Sequence, residues 1–104
     1  MTELQNKVFR FVCDRTNDMM NFEGICPTLL VAREFGMSMY KARKVLKQLE
    51  YFEYLVYDKV GGCTEDGLPW CLRGYAMGRK GLETAIYRKS LAEEERSIRE
   101  LLGQ

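Results

Sequence analysis

Apolar residues recur at helical spacing from the start of the chain. Leu4, Val8, Phe11 and Val12 fall at i, i+4, i+7 and i+8, one stripe of an amphipathic helix. Thr2, followed three residues later by Gln5, forms a capping-box pattern ahead of that stripe. The pattern fades near Asn17-Asp18, the segment to Gly24 reads as loop, and Ile25 opens a very short strand. Thr28 follows Pro27 and is expected to cap a second helix, with Val31, Ala32 and Phe35 on its inner face. Gly36 supplies a left-handed stop after that short helix, and Ser38 caps a third one almost at once.

The third helix, residues 38–50, is the most informative stretch. At about 100° per residue, Ala42, Val45, Leu46 and Leu49 fill one arc. Tyr40, Arg43, Lys44 and Lys47 fill an arc of similar width almost opposite, with Lys41 at the boundary. No acid occurs from Gly36 to Gln48. One side is therefore core, and the other is cationic with an aromatic among the charges. Two helices separated by a short glycine-containing turn make a helix-turn-helix arrangement.

After Glu50 the period changes. Tyr54 to Val60 is rich in β-branched and aromatic residues and predicts a strand. Gly61, Gly62 and Thr64-Glu65-Asp66-Gly67 read as a turn region, and Trp70 to Met77 as the return strand with Gly74 as a bulge. Residues 79–102 predict a C-terminal helix whose apolar face changes along its length. Leu82, Ala85 and Ile86 share one arc; Tyr87, Leu91, Ile98, Leu101 and Leu102 share another, roughly opposite.

Composition narrows the chemistry. The 104 residues have room for one domain, and 46% hydrophobic content suffices for a core. The chain has no histidine, so Ser-His and Cys-His nucleophile pairs and imidazole ligands are excluded. The four cysteines (Cys13, Cys26, Cys63, Cys71) form no Cys-x-x-Cys pair, and free thiols in a reducing compartment are expected. No catalytic carboxylate pair and no phosphate-cradling glycine loop is recognisable, so no enzyme, cofactor or metal is expected. Without an apolar span or a secretory leader pattern, the expected location is cytoplasmic. Net charge is only +1, so any basic face must be local.

The order helix, short helix, turn, basic helix, hairpin, helix resembles the winged helix-turn-helix regulators, an α+β fold. Gly24-Ile25-Cys26-Pro27-Thr28, Val31-Ala32-Arg33-Glu34-Phe35-Gly36-Met37-Ser38, Ala42 to Glu50 and Leu55 resemble the DNA-binding domain of LexA-type repressors. Arg73-Gly74-Tyr75-Ala76-Met77-Gly78-Arg79-Lys80-Gly81 is similar to the wing-exit strand and helix start of MarR-like and PadR-like regulators. The likeness runs from about residue 3 to residue 90 and departs at three places. Glu53 stands where a glycine is often found, Gly78 replaces a capping Thr, and the wing tip carries Glu65 and Asp66.

These readings lead to double-stranded DNA as the expected partner, with the basic helix in the major groove. Arg43 suits bidentate guanine contact, and Lys44, Lys47 and Lys41 suit phosphate or base edges. Tyr40 offers a hydroxyl and a ring; Thr28 and Ser38 sit at helix N-termini; Arg73 at the wing base reaches toward the backbone. A solvated Lys/Arg face is the competing interpretation. One short helix reads few base pairs, so a homodimer is expected, with Tyr87, Leu91, Ile98 and Leu101 as its seam. The acidic wing tip keeps open a winged-helix module that binds protein rather than DNA. Cys63 and Cys71, on either side of the wing turn, keep open a thiol or metal switch.

Overall fold

Thr2 Oγ1 accepts the Gln5 N–H at 3.1 Å, and the Gln5 side chain accepts the Thr2 N–H at 2.9 Å. The capping box thus closes as expected, and helix α1 (Glu3–Asn17) starts behind it. The computed structural model describes residues 1–103, which form an α+β arrangement of four helices and one antiparallel hairpin. After α1 come α2 (Thr28–Phe35), α3 (Met39–Tyr51), β1 (Leu55–Cys63), β2 (Pro69–Met77), a 3-10 turn (Gly81–Glu83) and α4 (Ala85–Leu101).

Helix α1 buries Val8, Phe9, Val12 and Cys13. Phe11, expected on the inner stripe, is half-buried and meets Phe35 edge-on, with centroids 5.9 Å apart. Thr28 does not cap α2. Pro27 holds the cap position with no side-chain hydrogen bond, and Thr28 is the first helical residue. Gly36 ends α2 at φ 59°, in the left-handed region, where its N–H reaches the Ala32 and Arg33 carbonyls. Ser38 Oγ then accepts the Lys41 N–H at 3.1 Å and starts α3. Ala42, Val45, Leu46 and Leu49 are all buried, as the helical period predicts. Each fully buried leucine contributes roughly 1.5–3 kcal/mol, so the inner side of α3 fixes its orientation.

Strands β1 and β2 pair from Leu55↔Met77 to Cys63↔Pro69. Gly61 and Gly62, expected in the turn, lie inside β1 opposite Cys71 and Trp70. The turn is confined to Thr64–Leu68, where Thr64 N–H donates to the Leu68 carbonyl at 2.9 Å and Gly67 takes φ 80°. The hairpin is longer than expected, and Gly62 leaves room for the Trp70 ring across the strands: a Cβ there would stand 3.2 Å from it.

Gly74 is not a bulge; it pairs in register with Asp58. Its role is close approach, since a Cβ there would lie 2.6 Å from the Cys26 carbonyl oxygen. Cys26 and Tyr75 exchange both backbone hydrogen bonds at 2.8 Å, and the short strand expected at Ile25 reduces to this single bridge.

The last helix begins later than residue 79. Gly78–Lys80 is turn, Gly81–Glu83 is 3-10, and Thr84 Oγ1 accepts the Tyr87 N–H at 3.1 Å to cap α4. The expected inner arc is also corrected: Leu82 and Ala85 are exposed, and Ser90 is the buried residue of α4. Ser90 Oγ donates to Asp14 at 2.7 Å and accepts from Asn17 at 3.1 Å. Arg10 joins Asp14 to Glu93 alongside them. Helix α4 is thus fastened to α1 by a polar seam as well as by Ile86 and Tyr87, which pack against the core. No helix among the described residues is long and apolar enough to cross a membrane.

Candidate nucleic-acid interface

Burying the Ala42–Leu49 arc turns the other side of α3 outward. Tyr40 is 75% exposed, and Lys41, Arg43, Lys44 and Lys47 are exposed beside it. Among the described residues no carboxylate lies within salt-bridge distance of these four cations. They make no ion pair, in a protein whose net charge is +1, although Glu50 lines a groove beside Arg43 and Lys47. The 13-residue helix is about 20 Å long.

The basic crest borders two grooves. One, of about 370 Å³, runs between α3 and the hairpin and is lined by Thr28, Arg43, Lys47, Glu50, Tyr57 and Tyr75. Thr28 enters this site from the first turn of α2. The other, of about 710 Å³, is lined by Gln5, Tyr40, Arg43, Lys44, Lys47, Gln48, Tyr51 and Phe52. Gln5 Nε2 donates to Gln48 Oε1 at 3.1 Å and closes its rim. Arg43 and Lys47 belong to both grooves and so stand at the centre of the surface.

Strand register extends that surface onto the hairpin. Tyr75 spends its backbone groups on Cys26, so the pairs 57/75, 59/73, 61/71 and 63/69 are non-hydrogen-bonded sites sharing one face. Tyr57 and Tyr75 meet there with ring centroids 5.1 Å apart, beside Arg43 and Lys47. Next along the same face Lys59 stands directly opposite Arg73, and both are exposed. Like charges facing each other across strands are unfavourable by themselves; an anion between them reverses the sign.

Ser38 is exposed, but its oxygen already accepts the Lys41 N–H, leaving its hydroxyl proton free to donate. Glu65 and Asp66 sit exposed in the turn at the far end of the hairpin. Sequence reading missed Tyr51 and Phe52. Tyr51 was legible as the i+11 partner of Tyr40 on one helix face, whereas Tyr57 joins the site only through strand register.

The expected dimer seam lies apart from this surface. Tyr87 is half-buried against the core, Leu91 and Ile98 are half-buried, and Leu101 is 78% exposed. Cys13 and Cys26 are buried in the core, and burial pushes both thiols up to about 12. Among the described residues no group of three or more potential metal-ligating side chains converges. No family model, curated protein or solved structure matches the chain.

Proposed function

We propose that the chain is a winged helix-turn-helix regulator that binds double-stranded DNA as a homodimer. Helix α3 enters the major groove, and the β1–β2 hairpin serves as the wing. One observation carries this reading: the anchored helix presents Tyr40, Lys41, Arg43, Lys44 and Lys47 outward and unpaired, in the direction its buried side dictates. The major groove of B-DNA, about 12 Å wide, accepts one helix. Arg43 is the side chain suited to bidentate guanine recognition, and Lys44 and Lys47 are suited to phosphates. The Lys59–Arg73 pair of the wing extends the cationic surface along the DNA backbone, and Thr28 adds a hydroxyl beside Arg43 and Lys47.

The test is retention of random-sequence duplex DNA. Wild-type protein retains it with log K falling against log salt at a slope of roughly −4 to −5 for four to six neutralised phosphates. Arg43→Glu with Lys47→Glu abolishes retention and leaves the thermal transition in place, because both side chains are solvent-exposed. Unchanged retention by that variant refutes the assignment of α3 as the reading element.

A protein-binding module is the second reading. The apolar groove bearing Tyr40, Tyr51 and Phe52 favours it, as do Glu65 and Asp66 at the wing tip, which phosphate repels. No duplex retention even at low salt selects this reading over the first.

A further inference from the structure

The exposed cysteines of the hairpin are brought together by its register. Cys71 faces Gly61, Cys63 faces Pro69, and both pairs are non-hydrogen-bonded sites on one face. Cys63 and Cys71 are therefore diagonal neighbours, and both are free and exposed. Gly61 presents no side chain opposite Cys71, so no β1 side chain stands between the two thiols on this face. One step along the same face stand Lys59 and Arg73, two cations directly opposed with no acidic partner among the described residues.

Diagonal neighbours across an antiparallel pair lie roughly 7–8 Å apart, somewhat less between Cβ atoms. A disulfide needs Cβ atoms about 3.5–4.5 Å apart, so this register does not suit one. A metal ion held between two thiolates spans more. At the roughly 2.3 Å of a zinc–thiolate bond, a linear sulfur–metal–sulfur unit spans about 4.6 Å, within the reach of side chains on diagonal neighbours. Two sulfur donors with no third ligand exclude a four-coordinate zinc site and select a soft ion content with two ligands.

We propose that Cys63 and Cys71 form a two-thiolate site for copper(I) near the tip of the hairpin, on the face that carries Lys59 and Arg73. Binding releases one proton from each thiol to solvent and forms two Cu–S bonds. Copper stays monovalent throughout, so no oxidant or reductant takes part. The loaded site carries one net negative charge, and Lys59 and Arg73 lie beside it to offset that charge. The site does not depend on the DNA-binding reading. Where that reading holds, loading places negative charge on the same face as the wing cations and weakens duplex retention.

The experiment is an anaerobic titration of the full chain with copper(I) against a chromogenic copper(I) chelator, with no DNA present. The expected result is one copper per chain, with affinity falling by roughly two orders of magnitude in Cys63→Ser and equally in Cys71→Ser. Circular dichroism of both variants matches wild type, since neither side chain is buried. Wild-type affinity in either single variant, or independent uptake of one copper per thiol, overturns the site. Duplex retention by copper-free protein is measured separately, so failure of the copper site and failure of the DNA reading are distinguishable.

Discussion

The peptide carbonyl of Glu53 accepts the Lys80 N–H at 3.0 Å, and its carboxylate lies 3.7 Å from the same residue's Nζ. Glu53 holds this position at φ 66°, the one non-glycine residue in the left-handed region among those described. The junction between α3 and β1 is thereby tied to the turn before α4. A left-handed conformation costs a residue with a Cβ roughly 1–2 kcal/mol, while glycine's extra unfolded-state freedom costs about 0.5–1 kcal/mol. The exposed ion pairs to Arg79 and Lys80, at 3.6 and 3.7 Å, contribute little against these terms. Glu53→Gly is expected to stabilise the fold by up to about 1 kcal/mol, a rise of a few degrees in Tm. Glu53→Val destabilises it, because a β-branched side chain fits that backbone region worst. Thermal or urea unfolding of the two variants reads both signs.

Gly74 answers to a different constraint. Its φ is unremarkable, but the Cys26 carbonyl oxygen would stand 2.6 Å from an added Cβ, and backbone on both sides leaves nothing to yield cheaply. Gly74→Ala is expected to cost about 2–3 kcal/mol, as other overpacked sites do. Hydrogen exchange locates the damage: the amides of Cys26 and Tyr75, bonded at 2.8 Å, lose protection before those of α3.

The contrast between Glu53 and Gly74 shows what the sequence makes legible. Signals within one turn of backbone were readable: the Thr2–Gln5 capping box, the Gly36–Ser38 junction, and the arc that buries Ala42, Val45, Leu46 and Leu49. The outward direction of Arg43, Lys44 and Lys47 follows from that arc by geometry alone. Gly74 was misread as a bulge because its partner is the Cys26 backbone, which only the tertiary fold brings near. Ser90 was overlooked for the same reason, since a serine in a charged helix looks solvated until Asp14 and Asn17 arrive from α1. The late start of α4 coincides with Thr84, whose side-chain oxygen accepts the Tyr87 N–H, whereas Lys80 ahead of the 3-10 turn makes no side-chain cap.

The cysteines give a prediction in two parts. Native protein exposes two thiols, Cys63 and Cys71, to an aromatic disulfide reagent, and unfolding exposes all four. Burial raises the Cys13 and Cys26 thiols to about 12 in the folded state, whereas unfolded thiols ionise near about 8.5. Between those values the unfolded chain binds fewer protons than the folded one, so stability falls as pH rises through the window. The slope approaches about 1.4 kcal/mol per pH unit for each thiol. Urea midpoints are expected to be level near neutrality and to drop above about pH 9. Replacing Cys13 with alanine makes the alkaline decline shallower, at the cost of some stability at neutral pH from the cavity.

The proposed homodimer rests on α4. Tyr87, Leu91, Glu94, Ile98 and Leu101 follow one another at intervals of four, three, four and three, the spacing of a helix seam. Tyr87 turns partly into the core, and Glu94 accepts the Met19 N–H at 3.1 Å, so the loop after α1 borders the same stripe. What the body of the domain leaves uncovered is Leu101 and part of Leu91 and Ile98, with Met19 and Met20 exposed in that loop. Two-fold pairing of this stripe would bury it and set a pair of α3 helices at a fixed separation, which an inverted-repeat operator requires. Leu91→Asp with Ile98→Asp is therefore expected to convert a dimer into a folded monomer in sedimentation velocity. Helical circular dichroism is preserved, because the Ser90–Asp14 seam holds α4 to α1 independently. Duplex affinity of the monomer falls steeply while its affinity for a single half-site changes little. A wild-type chain that sediments as a monomer at micromolar concentration removes the seam from the proposal and leaves the α3 surface to be judged by DNA retention alone.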